Sequence, residues 1–140
     1  MGSVLVTTPA DQWLLPLLRE NLPETSFAQL ESGVQDSYWR AAIDARLITN
    51  DEILEALSAR THFRIATDLL VSSEACERVP EKLARRFSIL PLSISESVLD
   101  IATANPYDLD CEKVLAFATG RTVRMSLAAP DRIMERIEEV

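Results

Sequence analysis

The chain has 140 residues, 47% of them hydrophobic and 26% charged, which is the composition of an ordinary soluble globular protein. This length allows one domain, or one small domain with a helical extension, whose core needs no disulfide or metal to fold. The net charge of −8 argues against a nucleic-acid partner, because phosphate contacts need clustered Lys and Arg, and no apolar run reaches the ~18 residues that span a bilayer.

The sequence contains two cysteines, Cys76 and Cys111, and we identify no signal peptide. Disulfides form in oxidising compartments, and a single possible pair does not make a disulfide framework. We therefore expect reduced, buried thiols in a cytoplasmic protein.

The first part of the chain is predicted to be short helices joined by turns. Asp11 is placed to cap the first helix, in which Pro16 either introduces a kink or lies in the first turn. A second helix is predicted over 25–33, and a third begins at Asp36 or Ser37.

A capping box marks the next helix, predicted over 51–60, because Thr49 is followed three residues later by Glu52. The pattern changes after this helix. We place a helical N-terminal extension at 1–47 and an α+β domain at 48–140.

The region 62–94 mixes strand and helix signals. Phe63, Ile65 and Thr67 alternate with other residues and predict a short edge strand. Ser72 or Ser73 then caps a turn of helix, and Pro80 begins a helix over 81–87. A strand over 89–94 contains Pro91, which favours a sheet edge or a bulge because proline donates no hydrogen bond.

The region 98–127 predicts the order strand, turn, helix, strand. Asn105-Pro106 ends the first strand, Asp108 caps the helix and Gly120 supplies the left-handed residue that ends it. The helix is predicted to bury one face, formed by Cys111, Val114, Leu115 and Ala118.

The last helix is predicted to begin at Pro130, with Asp131 in its first turn. Its inward residues are predicted to be Ile133, Met134, Ile137 and Val140. The predicted fold class is α+β, with a helical N-terminal part packed with a small mixed β-sheet and helices in the order β-α-β-β-α-β-α.

Several of these segments form an ordered set that resembles a known family. The segments are LARRFSILPL, LDIATANPYDLD, FATGRTV and IMERIEEV. Their order resembles the N-terminal domain of type II secretion and type IV pilus assembly ATPases, over roughly 48–140. Asn105 stands where that family commonly has aspartate.

The parent ATPases hydrolyse ATP with a phosphate-binding loop, which needs two glycines five residues apart followed by Lys and Ser or Thr. The three glycines here, Gly2, Gly33 and Gly120, match no such pattern. With His62 as the only histidine, the sequence also offers no metal site or Ser-His pair. We expect no enzyme activity, no catalytic residues and no resident cofactor.

Some relatives bind cyclic di-GMP through a segment that opens with Arg-Leu-Gly. Its apolar positions are matched here by Ile48, Ile53, Ala56 and Leu57. Its first half is not matched, because Ser37-Tyr38-Trp39 replaces Arg-Leu-Gly and Arg46 replaces a glycine, whose missing Cβ allows close backbone approach. Apolar residues at these four positions are also typical of a helix core. Packing in the core is therefore one interpretation of the four matches, and nucleotide binding is the alternative.

The resemblance implies a non-catalytic domain that tethers a motor ATPase to inner-membrane platform proteins through protein contacts, in the cytoplasm and without inserting into the membrane. Candidate partner contacts are Arg64, Arg85 and Arg86, and candidate edges for a partner are the strands at 64–70 and around Pro91. The alternatives are a cyclic di-GMP-binding regulatory domain and a free-standing adaptor of the same fold.

Overall fold

The structure, a computed structural model, describes residues 11–33, 37–66 and 69–139. The described residues form two compact units, divided between Ala56 and Leu57. No helix in these ranges is long and apolar enough to cross a bilayer.

The first unit is helical. After a 3-10 turn at Gln12–Leu14 it contains α1 (Leu15–Asn21), α2 (Glu24–Gly33), α3 (Tyr38–Asp44) and the start of α4 (Asn50–Thr61). Pro16 lies in the first turn of α1 and does not kink it. The interior of this unit is lined by Leu14, Leu17, Leu18, Phe27, Leu30, Tyr38, Trp39, Ala42 and Ile53.

Asp11 caps a different helix from the predicted one. Its side chain makes no capping bond to the 3-10 turn that follows it, so the predicted role is wrong. Its carboxylate instead accepts the backbone N–H groups of Tyr38 and Trp39, at 2.8 and 3.0 Å, and the hydroxyl of Ser37 at 2.8 Å. The free N–H groups at the start of α3 attract the carboxylate, and Ser37 adds its own cap to Arg40 N at 3.2 Å.

The capping box before α4 is confirmed. Thr49 Oγ1 accepts from Glu52 N at 3.1 Å, and Glu52 Oε1 accepts from Thr49 N at 3.1 Å. The helix ends at Thr61, and His62 follows it with a left-handed φ of 65°.

The second unit contains a three-stranded sheet and helices, which confirms the α+β class. Its helices are α5 (Ser73–Arg78), α6 (Glu81–Phe87), α7 (Leu109–Thr119) and α8 (Pro130–Glu139). Its strands are β1 (Ile89–Ile94), β2 (Val98–Thr103) and β3 (Thr122–Leu127). The strand order is β1-β2-β3, with β1 antiparallel and β3 parallel to β2.

The register places the apolar positions of β2 and β3 side by side. Leu99 lies opposite Val123 and Ile101 opposite Met125. On the other side of β2 the pairing shifts between Pro91 and Ser93, a bulge on an edge strand. The predicted effect of Pro91 is thereby confirmed.

The strand predicted around Ile65 is reduced to a single parallel bridge with Leu127. Leu127 N donates to Arg64 O and Ala66 N donates to Leu127 O, both at 2.8 Å. Leu127 is the last residue of β3, so a parallel neighbour that starts there finds no further strand to pair with. Thr67, the last residue of the predicted alternation, lies outside the described residues.

The predicted ends of α7 are confirmed, and its predicted face is confirmed in part. Asp108 accepts from Cys111 N at 3.0 Å, and Gly120 has a φ of 67°. Cys111 and Leu115 are buried. Val114 is half-buried, but Ala118, in the last turn, is exposed and does not belong to the core face.

The starts of α5 and α8 agree with the sequence-based prediction, and the start of α6 differs by one residue. Ser72 caps α5 by accepting from Ala75 N at 3.1 Å, while Pro80 precedes α6 instead of opening it. Pro130 is the first residue of α8, where Ile133 and Ile137 are buried and Met134 is half-buried. Val140 lies outside the described residues.

Candidate docking surface

The outer side of α7 exposes large apolar side chains. Four large hydrophobic residues are exposed in the described part of the chain, and three of them, Tyr107, Leu109 and Phe117, lie at or on α7. Phe117 is 93% exposed and Leu109 63%. Exposed aromatic and aliphatic side chains close together are typical of protein-binding surfaces.

Helix geometry explains why these residues face outward. Cys111 and Leu115 turn one side of α7 to the core, and residues four apart share a side of a helix. Leu109, Lys113 and Phe117 follow each other at intervals of four and form one row on the side away from the core. We call these three residues the α7 face.

Carboxylates surround the α7 face. At 100° per residue, Asp110 and Glu112 fall on opposite sides of the row, and both are exposed. Glu112 also lines an open groove of about 590 Å³ together with Glu96 from the β1–β2 hairpin. We call Glu96, Asp110 and Glu112 the acidic rim. None of the three forms an ion pair within the described ranges.

Arg121 lies in the same groove but leaves these carboxylates free. Its Nε donates to Ser95 O at 2.7 Å and its Nη1 to Thr119 O at 2.6 Å. The guanidinium therefore fixes the hairpin against the end of α7. No residue of the β1–β2 hairpin turn has a positive φ. The turn is closed by Ser95 Oγ, which accepts from Val98 N at 3.1 Å.

The cysteine on the buried side of α7, Cys111, has a raised pKa. Burial first, and then the negative charges of Asp108 and Glu112, raise the pKa of the Cys111 thiol to about 12. A thiol with this pKa stays protonated at neutral pH and is a poor nucleophile or metal ligand. Cys76 and Cys111 are both free thiols, and Cys76 is only half-buried.

The charges on the sheet are satisfied internally. Arg124 makes two bonds to Asp100, Nε to Oδ1 at 2.5 Å and Nη2 to Oδ2 at 3.0 Å, and Ser93 Oγ donates to Oδ2 at 2.9 Å. The bond from Arg124 is the main reason why the pKa of Asp100 is lowered, and Arg64 adds a smaller Coulombic effect. This polar row crosses all three strands.

The three predicted partner contacts do not form one patch. Arg64 lies beside β3, whereas Arg85 and Arg86 lie on α6, which packs against β1 at the opposite edge of the sheet. Arg85 forms a 3.5 Å ion pair with Glu81, and the guanidinium of Arg86 lies 4.9 Å from the ring centre of Phe87. All three arginines are exposed, so their role as partner contacts stays a prediction.

Both predicted partner edges contact the chain's own backbone. Ser72 N donates to Leu92 O at 2.9 Å at the bulge of β1, and α5 packs on the same strand. The segment at Arg64 is joined to the end of β3. A partner strand would have to displace these bonds.

The four matches to the nucleotide-binding segment are mainly interior residues. Ile48, Ile53 and Leu57 are 7%, 0% and 1% exposed, and Ala56 is half-buried. Arg46, at the glycine position of that segment, is exposed and has a left-handed φ of 59°. Within the described residues, no three His, Cys, Asp or Glu side chains group as metal ligands.

The sequence-based prediction for α7 covered its core face only, so it did not include the α7 face. Its signal is nevertheless present: Leu109 and Phe117 are apolar, and both lie off the buried row of α7. A helix with apolar residues on two sides either is buried all round or leaves one apolar side exposed, and the pattern alone does not distinguish the two cases.

The comparisons with known proteins agree with this fold. The family model described as MshEN domain matches residues 62–140. A solved structure of MshE with cdg is similar with a TM-score of 0.69 at 21% identity, covering 90% of this chain and 96% of that chain. The N-terminal domain of XpsE is similar with a TM-score of 0.66 at 17% identity, covering 99% and 97%.

At these identities the two structures establish a shared fold, and the family match establishes the family. No curated protein matches the chain significantly. The chain belongs to the MshEN domain family and is an N-terminal domain of the type found in type II secretion and type IV pilus assembly ATPases.

Proposed function

We propose that this chain is a non-catalytic docking domain, which tethers a motor ATPase to a protein of the inner-membrane platform of a secretion or pilus system. The observation that carries the proposal is the α7 face, where Phe117 and Leu109 are exposed on a helix with a well-capped start and end. Such residues are typical binding hot spots when a partner covers them.

The absence of catalytic machinery in the sequence supports the same proposal. ATP hydrolysis needs a phosphate-binding loop, and none of the three glycines belongs to one. His62, the only histidine, is exposed and takes the left-handed position after α4. Its backbone N–H closes the helix by donating to Ser58 O at 2.8 Å, which is a structural role.

Calorimetric titration against the cytoplasmic regions of inner-membrane platform proteins tests the proposal. We expect one of them to bind, and Phe117→Ala to weaken that binding at least about tenfold, the effect of losing a hot-spot aromatic. Leu70→Ala is the matched comparison, because Leu70 is 74% exposed but lies outside α7, at the end of the predicted partner edge 64–70. A larger loss of affinity for Leu70→Ala than for Phe117→Ala would place the contact at that edge and not on the α7 face. If none of the platform proteins binds the wild-type chain, the proposal is wrong.

One observation favours a second candidate, a cyclic di-GMP-binding domain. The backbone at Arg46 adopts the left-handed conformation that the glycine of the binding segment would supply. MshE, which shares this fold, was solved with cdg, which we interpret as cyclic di-GMP. The Cβ of Arg46 opposes close approach of a ligand, so we rank this function second.

A cyclic di-GMP titration separates the two candidates. We expect no heat with the wild-type chain, and Arg46→Gly shows whether the side chain is the obstacle. Micromolar binding by the wild-type chain would favour the second candidate over the first.

A further inference from the structure

We propose that the α7 face and its acidic rim dock a basic amphipathic helix of a partner protein, with apolar side chains on the row and Lys or Arg side chains on the rim. This inference rests on the proposed docking function and specifies the chemistry of the partner. Its three supports are the shape, the exposure and the charge of the surface.

The shape of the surface favours a helix over a strand. An α-helix satisfies its own backbone hydrogen bonds, so a partner can bind α7 only through its side chains. The row of Leu109, Lys113 and Phe117 is an i, i+4, i+8 ridge, which fits the groove between two ridges of another helix. From Leu109 to Phe117 the ridge is about 12 Å long at 1.5 Å per residue, so a partner helix of three turns covers it.

The exposure of the ridge requires a hydrophobic contact. Phe117 is 93% exposed, and the groove beside it is lined by Ala116 from the same helix. Burying an exposed Phe side chain stabilises a complex through the hydrophobic effect. A partner helix therefore needs at least one apolar side chain that packs on the ring.

The charge of the rim selects a basic partner. Glu96, Asp110 and Glu112 carry three negative charges, and none of them forms an ion pair within the described residues. The nearby cations are Lys113 and Arg121, and the guanidinium of Arg121 donates to the backbone carbonyls of Ser95 and Thr119. The net charge of the whole chain, these three carboxylates included, is −8. Lys and Arg side chains on a partner would lower the repulsion between these carboxylates and would increase the rate of association.

The same charges disfavour other occupants. A second copy would bring two acidic rims together, and an anionic lipid surface would meet the rim with the same sign of charge. Nucleic acid is disfavoured for the same reason. A basic protein helix is the occupant that fits both the apolar side chains of the ridge, Leu109 and Phe117, and the acidic rim.

Fluorescence anisotropy with two synthetic peptides tests the inference. Both are 18-residue amphipathic helices with identical Leu positions, one with Lys and the other with Glu flanking the apolar side. We expect the Lys peptide to bind at least tenfold more tightly than the Glu peptide, and its binding to weaken as salt rises from 50 to 300 mM, since rim charges are screened.

Two variants locate the binding site. Phe117→Ala should weaken the Lys peptide at least about tenfold without loss of stability, because the side chain is exposed. The double variant Asp110→Lys with Glu112→Lys should reverse the preference to the Glu peptide. Glu74→Lys is the control for a single charge reversal, since Glu74 is exposed in the first turn of α5, where each reversal carries a similar helix-dipole cost.

Equal binding of the two peptides, or binding that ignores both variants, would overturn the inference. So would a Phe117-dependent homodimer in sedimentation, or Phe117-dependent binding to anionic vesicles. If a platform protein binds but Phe117→Ala leaves its affinity unchanged, this inference fails and the docking function stands. If the Lys peptide binds at the α7 face but no platform protein does, docking to the platform fails, and only the preference of the α7 face for a basic helix stands.

Discussion

Four residues in the described part of the chain have a left-handed backbone, and all of them follow a helix. They are Arg46, His62, Ser88 and Gly120. Glycine adopts this conformation without strain, whereas a side chain with a Cβ costs about 1–2 kcal/mol in it. Of these four helix ends, the one at Gly120 is relaxed and the other three are strained.

Gly120→Ala should destabilise the second unit by about 1 kcal/mol, because alanine is strained at a φ of 67°. Nothing lies within 4 Å of an added Cβ, so the loss measures backbone strain alone. Urea unfolding of the purified variant checks this. An unchanged midpoint would contradict the left-handed conformation at Gly120.

His62→Gly should raise the free energy of unfolding by about 0.5–1 kcal/mol. Glycine relieves the backbone strain at this position, and the added entropy of the unfolded state offsets part of the gain. The same urea experiment measures it. A loss of stability would show that the imidazole makes a contact worth more than the strain.

The Asp100–Arg124 pair makes stability depend on pH. The folded pKa of Asp100 is lowered, so its contribution is present above the unfolded value of about 3.9 and is lost as pH falls through the folded value. Asp100→Asn should therefore lower the unfolding free energy at pH 7, and the difference from wild type should shrink below about pH 4. Urea unfolding between pH 7 and 3 measures both quantities.

Glu96→Gln is the control for that series, because Glu96 is exposed and forms no ion pair within the described residues. The unfolding free energy of Glu96→Gln should change with pH in the same way as that of the wild-type chain. A difference for Asp100→Asn that stays constant down to pH 3 would contradict the lowered pKa.

At the scale of elements, the sequence predicted those features that depend on neighbours within four positions. Thr49 with Glu52, Asp108 with Cys111, and Gly120 are such features, and each is confirmed. The capping role predicted for Asp11 was wrong because its actual hydrogen-bond partners lie 26 to 28 positions away, where no local sequence pattern indicates them. The strand around Ile65 failed for a related reason, since its length depends on where β3 ends.

Asp11→Ala should destabilise the first unit by about 1–2 kcal/mol, because it removes the carboxylate that accepts two N–H groups at the start of α3. Asp44→Ala is the matched control. Asp44 lies at the other end of the same helix in an exposed 3.8 Å ion pair with Arg40, which contributes little. Thermal unfolding followed by circular dichroism compares the two, and equal losses would contradict the capping role.

At the scale of the whole molecule, the family and the α+β class were predictable because they rest on the order of several local signals. The candidate surface was not, because exposure depends on which side of α7 meets the sheet. Leu109 and Phe117 could equally have been core residues on a helix buried all round. Because they are exposed, this side of α7 is a candidate docking surface and not a second core face.

Site-specific photo-crosslinking tests the docking function most directly. A photoreactive phenylalanine analogue replaces Phe117 in one sample and Leu70 in another, and each is irradiated with the cytoplasmic regions of the platform proteins. We predict a crosslinked complex from position 117 and none from position 70, with no ATP hydrolysis by the chain alone. Crosslinks from position 70 only, or no crosslink to any platform protein, would contradict a docking role for the α7 face.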